Sequence, residues 1–134
     1  MVVNKKTIQS IGKRKRSIAR ATLYPGKGVV RINSKYLEFY SPEISKQRIM
    51  EPLLLSEDTA SQVNINVKVS GGGFQGQTDA VRTSIARALV IFNKKLKKTF
   101  LDYDRYLIVN DTRIKEQRKP NDSKARAARQ KSYR

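Results

Sequence analysis

The sequence predicts an α+β domain followed by an extended basic C-terminal tail, and three patterns predict it. Gln62 to Val69 alternates strictly, with Val63, Ile65, Val67 and Val69 on one face and Asn64, Asn66 and Lys68 on the other, which is the period of a half-buried strand. Val81, Ile85, Ala88, Leu89, Phe92 and Leu96 recur at steps of three and four, and at ~100° per residue they fall in one arc of a helix. From Asp111 onward the chain carries nine cations against three acids and almost no large apolar residue after Ile114, so this stretch cannot build a core. We therefore expect a globular body over residues 1–110 and a tail over 111–134.

Taken in order, the first element is a basic run, Gly12-Lys13-Arg14-Lys15-Arg16. On an extended backbone its side chains point to opposite faces and can touch phosphates on either side. A solvated charge run or a nuclear import signal would read the same way. Ser17, Ala19, Ala21 and Leu23 then alternate with Arg16, Ile18, Arg20 and Thr22, predicting a strand that holds Arg14, Arg16 and Arg20 on one face. Pro25-Gly26 reads as a turn and Val29 to Ile32 as the returning strand of a hairpin. Ser41-Pro42-Glu43 combines an N-cap, a proline at the first helical position and an acid in the first turn, so a helix begins there, to be kinked or ended by Pro52. After the Gln62–Val69 strand, Gly71-Gly72-Gly73 stops the sheet and one long helix follows. Its apolar stripe packs on the sheet, while Arg82, Arg87, Lys94, Lys97 and Lys98 form a basic outer surface. Leu107-Ile108-Val109 reads as a last short strand or an apolar anchor.

Composition narrows the function. The 134 residues hold 29 Lys+Arg against 11 Asp+Glu, a formal charge of +18, with no His and no Cys. Disulfides, thiolate or imidazole zinc sites, Cys nucleophiles and His acid–base catalysis are all excluded by residue type. The longest apolar run, Ala88 to Phe92, falls far short of the ~20 residues of a membrane-spanning helix, and no basic-then-apolar leader opens the chain, so we expect a soluble cytosolic protein without a membrane partner. So much like charge in a small body is best compensated by a polyanion whose counterions are released on binding. The cations gather at both ends: Lys5, Lys6, Lys13, Arg14, Lys15, Arg16 and Arg20 at one, and Arg113, Arg118, Lys119, Lys124, Arg126 and Arg129 at the other.

Two motifs test the enzyme alternative. Gly71 to Thr78 fits the P-loop spacing except that Gln77 stands where the lysine should neutralise phosphate charge. A tight strand-to-helix turn built from Gly71, Gly72, Gly73 and Gly76 accounts for the glycines better than a nucleotide site, and the amides opening the helix could alternatively hold an RNA phosphate. Asp102 with Asp104, and Glu57 with Asp58, lack a nucleophile, metal-ligand set or base, and read as solvated or capping acids. No catalytic residue, cofactor or metal is expected. The tail, extended, reaches up to ~80 Å against a body radius near ~14 Å, and Tyr133 adds a stacking face among its cations; a merely solubilising tail is the plain alternative.

Several segments in sequence resemble one family, the universal small-subunit ribosomal protein nine, in its archaeal and eukaryotic-like form. They are Gly12 to Ala21, Pro25-Gly26-Lys27-Gly28 with Arg31-Ile32-Asn33, Gly71 to Gln77, Ala80-Val81-Arg82 through Ile85 to Leu89, Asp111-Thr112-Arg113, and Gln130 to Arg134. The resemblance implies a fold like the second domain of ribosomal protein five: a four-stranded sheet with helices packed on one face and a left-handed crossover. It implies a non-enzymatic structural role in the small-subunit head, bound to its rRNA and to neighbouring small-subunit proteins. It also implies a tail ordering on RNA, with Lys131, Ser132, Tyr133 and Arg134 near the P-site tRNA. Ser132 and Arg134 match the family ending, whereas Tyr133 stands where bacterial members have lysine, exchanging a phosphate contact for a stacking one. On this reading Lys13, Arg14, Lys15, Arg16, Arg20, Arg82, Arg87 and the tail cations bind rRNA. A free-standing basic RNA- or DNA-binding protein is the competing class.

Overall fold

A computed structural model of the chain describes residues 7–120, 125 and 126. Five strands form one sheet: β1 (Ile8–Arg14), β2 (Ser17–Pro25), β3 (Val30–Ile32), β4 (Lys35–Tyr36) and β5 (Val63–Ser70), in the spatial order β1-β2-β5-β3-β4. The sheet thus has five strands rather than four: β1, which the basic run conceals, and the two-residue β4 at the opposite edge are gained, and Leu107-Ile108-Val109 adds none. Four helices complete the described residues: α1 (Glu43–Leu54), α2 (Glu57–Ala60), α3 (Phe74–Phe92) and α4 (Leu96–Tyr103).

The expected hairpin between β2 and β3 does not form. β2 pairs antiparallel with β1 on one side and β5 on the other, and β3 lies beyond β5, parallel to it. The loop after Pro25 is diverted across the start of β5: Gly26 N donates to Gln62 O (2.9 Å), and the Asn64 side-chain oxygen accepts from Lys27 N (2.9 Å) and Val29 N (3.0 Å). A parallel β3–β5 pair needs a crossover, and the α1–α2 segment supplies it.

One face of the sheet is buried. Ala19, Ala21, Leu23, Ile32 and the valines and Ile65 of β5 pack against Val81, Ile85, Ala88 and Leu89 of α3, as the alternation predicts. At Gly12, β1 rests on helix backbone: a Cβ there would lie 2.1 Å from Ala80 O and 2.6 Å from Ser84 N. Ser10 Oγ adds a hydrogen bond to Ser84 O (2.6 Å).

The helices depart from expectation in three places. α1 starts at Glu43 with Pro42 rather than Ser41 as its N-cap, and Pro52 lies buried inside its last turn, the helix ending two residues later. The long helix is interrupted at Asn93, whose side-chain oxygen accepts from Lys95 N (3.1 Å) and diverts the backbone before α4, as a local amide often does. Most consequentially, α3 is buried nearly all round, because α1 and the segment after α4 cover the side away from the sheet. Leu107-Ile108-Val109 is no strand; Leu107 ends a 3₁₀ turn (Arg105–Leu107) and is fully buried, an anchor.

Candidate nucleic-acid interface

Four of the arginines expected at the RNA surface are engaged within the protein. Arg82 is 5% exposed, and its Nη2 is ion-paired to Glu51 of α1 and to Asp104 Oδ2 (3.0 Å), so α3 shows no basic face there. A buried guanidinium holds two carboxylates from separate elements, which a solvated helix cation could not do. Asp104 also caps the 3₁₀ turn by accepting from Tyr106 N (2.9 Å). Arg87 donates from Nε to Ile108 O and from Nη1 to Ile11 O, both at 2.7 Å.

Arg14 continues the same seam. Its Nη1 donates to Arg113 O (2.8 Å), and its guanidinium lies 3.6 Å from Asp111 and 4.0 Å from Asp79, which also pairs with Arg48 (3.0 Å). Arg113 grips Asp111 in a two-pronged contact, Nε to Oδ1 at 3.0 Å and Nη2 to Oδ2 at 2.8 Å. These hydrogen bonds, a third from the Arg113 backbone N–H to Oδ1 (3.0 Å) and the nearby Arg14 charge hold the Asp111 carboxyl well below the usual carboxylate range; the paired Asp111 carboxylate in turn raises the Arg113 guanidinium. Thr83 Oγ1 donates to Tyr106 O (3.2 Å) and Lys13 N to the Asn110 side chain (3.3 Å). The segment 104–113 is thereby stitched across α3 onto β1, and these arginines root the tail.

The exposed cations lie elsewhere. Lys15 and Arg16 form the β1–β2 turn, Lys15 at φ 51°, and are solvent-facing, as is Arg20 on β2. Lys15 and Arg16 share a groove of about 680 Å³ with Phe74, Ile114 and Arg118, between the turn and the tail root. Lys119 is exposed, and exposed Arg126 pairs with Glu116 at 2.8 Å. Lys124, Arg129, Lys131, Ser132, Tyr133 and Arg134 lie outside the described residues.

The glycine loop closes against this turn. Gly71 and Gly72 take φ of 79° and 65°, and a Cβ would fall 2.4 Å from Arg16 O at Gly71 and 2.2 Å from Ser17 Oγ at Gly72. A Cβ at Gly76 would lie 2.9 Å from the same hydroxyl, whereas at Gly73 it would meet nothing within 4 Å. Ser17 Oγ and Gln77 Nε2 both donate to Gly71 O, at 2.9 and 3.1 Å. The amide at the position of a P-loop lysine braces the turn.

The amino-acid sequence of residues 12–134 matches the family described as Ribosomal protein S9/S16. The chain belongs to this family. Curated relatives agree: the small ribosomal subunit protein uS9 of Thermoplasma volcanium is 50% identical over 125 residues, covering 92% of this chain and 95% of the relative. That of Thermoplasma acidophilum is 51% identical over 125 residues (92% and 97%), and that of Methanococcus maripaludis 45% over 133 residues (96% and 99%). Membership explains why the glycine loop, the basic turn and the terminal basic segment occur together in one non-enzymatic protein. It leaves to the geometry which cations are free to meet RNA.

Proposed function

We propose that this chain is a structural, non-enzymatic constituent of the cytoplasmic small ribosomal subunit, binding its rRNA and neighbouring subunit proteins. The observation that carries the reading is membership of the S9/S16 family along residues 12–134, joined to a charge of +18. Of the cations expected to meet RNA, Lys13, Lys15, Arg16, Arg20, Arg118 and Lys119 are exposed and form no ion pair with a carboxylate among the described residues. They contribute affinity that falls steeply with salt as phosphate counterions are released. The tail carries Lys124, Arg126 and Arg129 into the rRNA, and Lys131, Ser132, Tyr133 and Arg134 approach the P-site tRNA. Tyr133 supplies a stacking face there.

Two measurements test this. After a moderate salt wash the chain should sediment stoichiometrically with small subunits, and its loss to the free fraction would refute the assignment. Removing residues 132–134 should leave subunit assembly intact and weaken retention of P-site tRNA; subunits that hold tRNA normally would refute the tail-tip role.

A further inference from the structure

The open face of the sheet is a second cationic surface. None of the acids lies in any of the five strands. Opposite the packed face, register sets the outward-facing residues in rows: Ile11, Arg20 and Lys68 in one, then Gln9, the half-buried Thr22, Asn66, Arg31 and Tyr36 in the next. Arg20 and Lys68 stand directly opposite each other on adjacent strands, both exposed, and neither meets a carboxylate among the described residues. Like charges so placed destabilise a sheet. Arg31, on the next strand over, is held in place by the Tyr36 ring, 4.6 Å below its guanidinium, and by a 2.7 Å hydrogen bond to the Tyr36 hydroxyl. With Lys68, Ser34 and Asn66 it lines a hollow of about 150 Å³.

A surface that sets two cations against each other, fixes a third and surrounds them with uncharged donors is unfavourable alone and relieved by a polyanion. We propose that this open sheet face seats the sugar–phosphate backbone of folded rRNA, with Arg20, Arg31 and Lys68 as its phosphate contacts. Arg31 and Lys68 are on strands that the basic run does not reach, so the face extends the interface across the sheet from the β1–β2 turn. The inference rests on the reading of the chain as rRNA-binding.

The test uses the full chain and a transcript of the small-subunit head rRNA, titrated across a series of salt concentrations. The Arg31→Gln/Lys68→Gln variant should bind more weakly, and the slope of log K against log salt should fall by about 0.7–0.9 for each phosphate no longer neutralised. Lys46→Gln on α1 serves as the comparison for removal of one charge elsewhere and should leave the slope near wild type. Lys68→Gln alone, which keeps the Arg31–Tyr36 contact, should melt no earlier than wild type, since a repulsion has been relieved. Failure of the wild-type chain to bind the transcript would sink the broader reading. Wild-type binding with an unchanged slope in the double variant would overturn the sheet face alone. So would a loss of binding by Lys68→Gln accompanied by early melting, or normal RNA binding by the double variant with failed incorporation into subunits, which would assign the face to a protein partner.

Discussion

Replacing Arg82 with methionine separates two roles that a basic residue on a helix could play. The Arg82 side chain is 6% exposed, while its partners Glu51 and Asp104 are 29% and 32% exposed. Breaking a fully buried ion pair costs ~3–5 kcal/mol. Here both carboxylates keep about a third of their surface in water and rehydrate when the arginine goes, which lowers the expected loss to about 2–3 kcal/mol. For a chain of this length that is a drop in melting temperature of roughly 8–12 °C. The assay is a thermal melt followed by circular dichroism, paired with rRNA binding measured well below the variant's melting point. A structural Arg82 predicts the lower melting temperature with an unchanged salt slope. A variant that melts like wild type and whose slope drops by about one phosphate's worth would refute the internal ion pair and restore the arginine to the RNA surface.

Three further outcomes follow from the same geometry. Gly71→Ala forces a side chain into the left-handed region against Arg16 O and should cost about 1–3 kcal/mol in denaturant unfolding, whereas Gly73→Ala, with open space around it, should stay within about 0.5 kcal/mol. Leu107→Ala should cost about 2–5 kcal/mol and increase hydrogen exchange at the Asn110–Arg113 amides, because the strap loses its only fully buried apolar side chain among residues 104–113. Because Asp111 is depressed in the folded state, its contribution is complete above the unfolded carboxylate value near ~3.9 and is lost as pH falls through the lower native value. The Arg113 amide should therefore stay protected from exchange at pH 5 and lose protection only in stronger acid, and Asp111→Asn should abolish that dependence.

The elements most legible in the sequence are those whose burial obeys one period. β5 alternates apolar and polar residues because one face is packed and the other open, and the first turns of α3 carry a stripe that meets the sheet. β1 escapes such a reading because its pattern is inverted: Ser10 and Gly12 are the buried residues and Ile11 the exposed one, since β1 approaches the helix backbone too closely for a larger side chain. The β2–β3 hairpin that Pro25-Gly26 suggests does not form because the Asn64 side chain, far along the chain, decides where the loop goes. In the candidate site, the free cations of the β1–β2 turn are legible from charge alone. The burial of Arg82 is foreshadowed by its place one residue after Val81, about 20° from Leu89 at the border of the apolar arc. Its partners Glu51 and Asp104 cannot be found that way, because pairing across 22 residues or more depends on how α1 and the strap fold over α3.

The Arg14–Arg113 hydrogen bond gives the molecule a fixed point of departure for its strap. On the proposed reading, the β1–β2 turn and the basic segment after Arg113 depart from a single corner, so an RNA held by either meets the other already at high local concentration. Engagement on that reading becomes a zipping outward from one fixed corner instead of two separate searches.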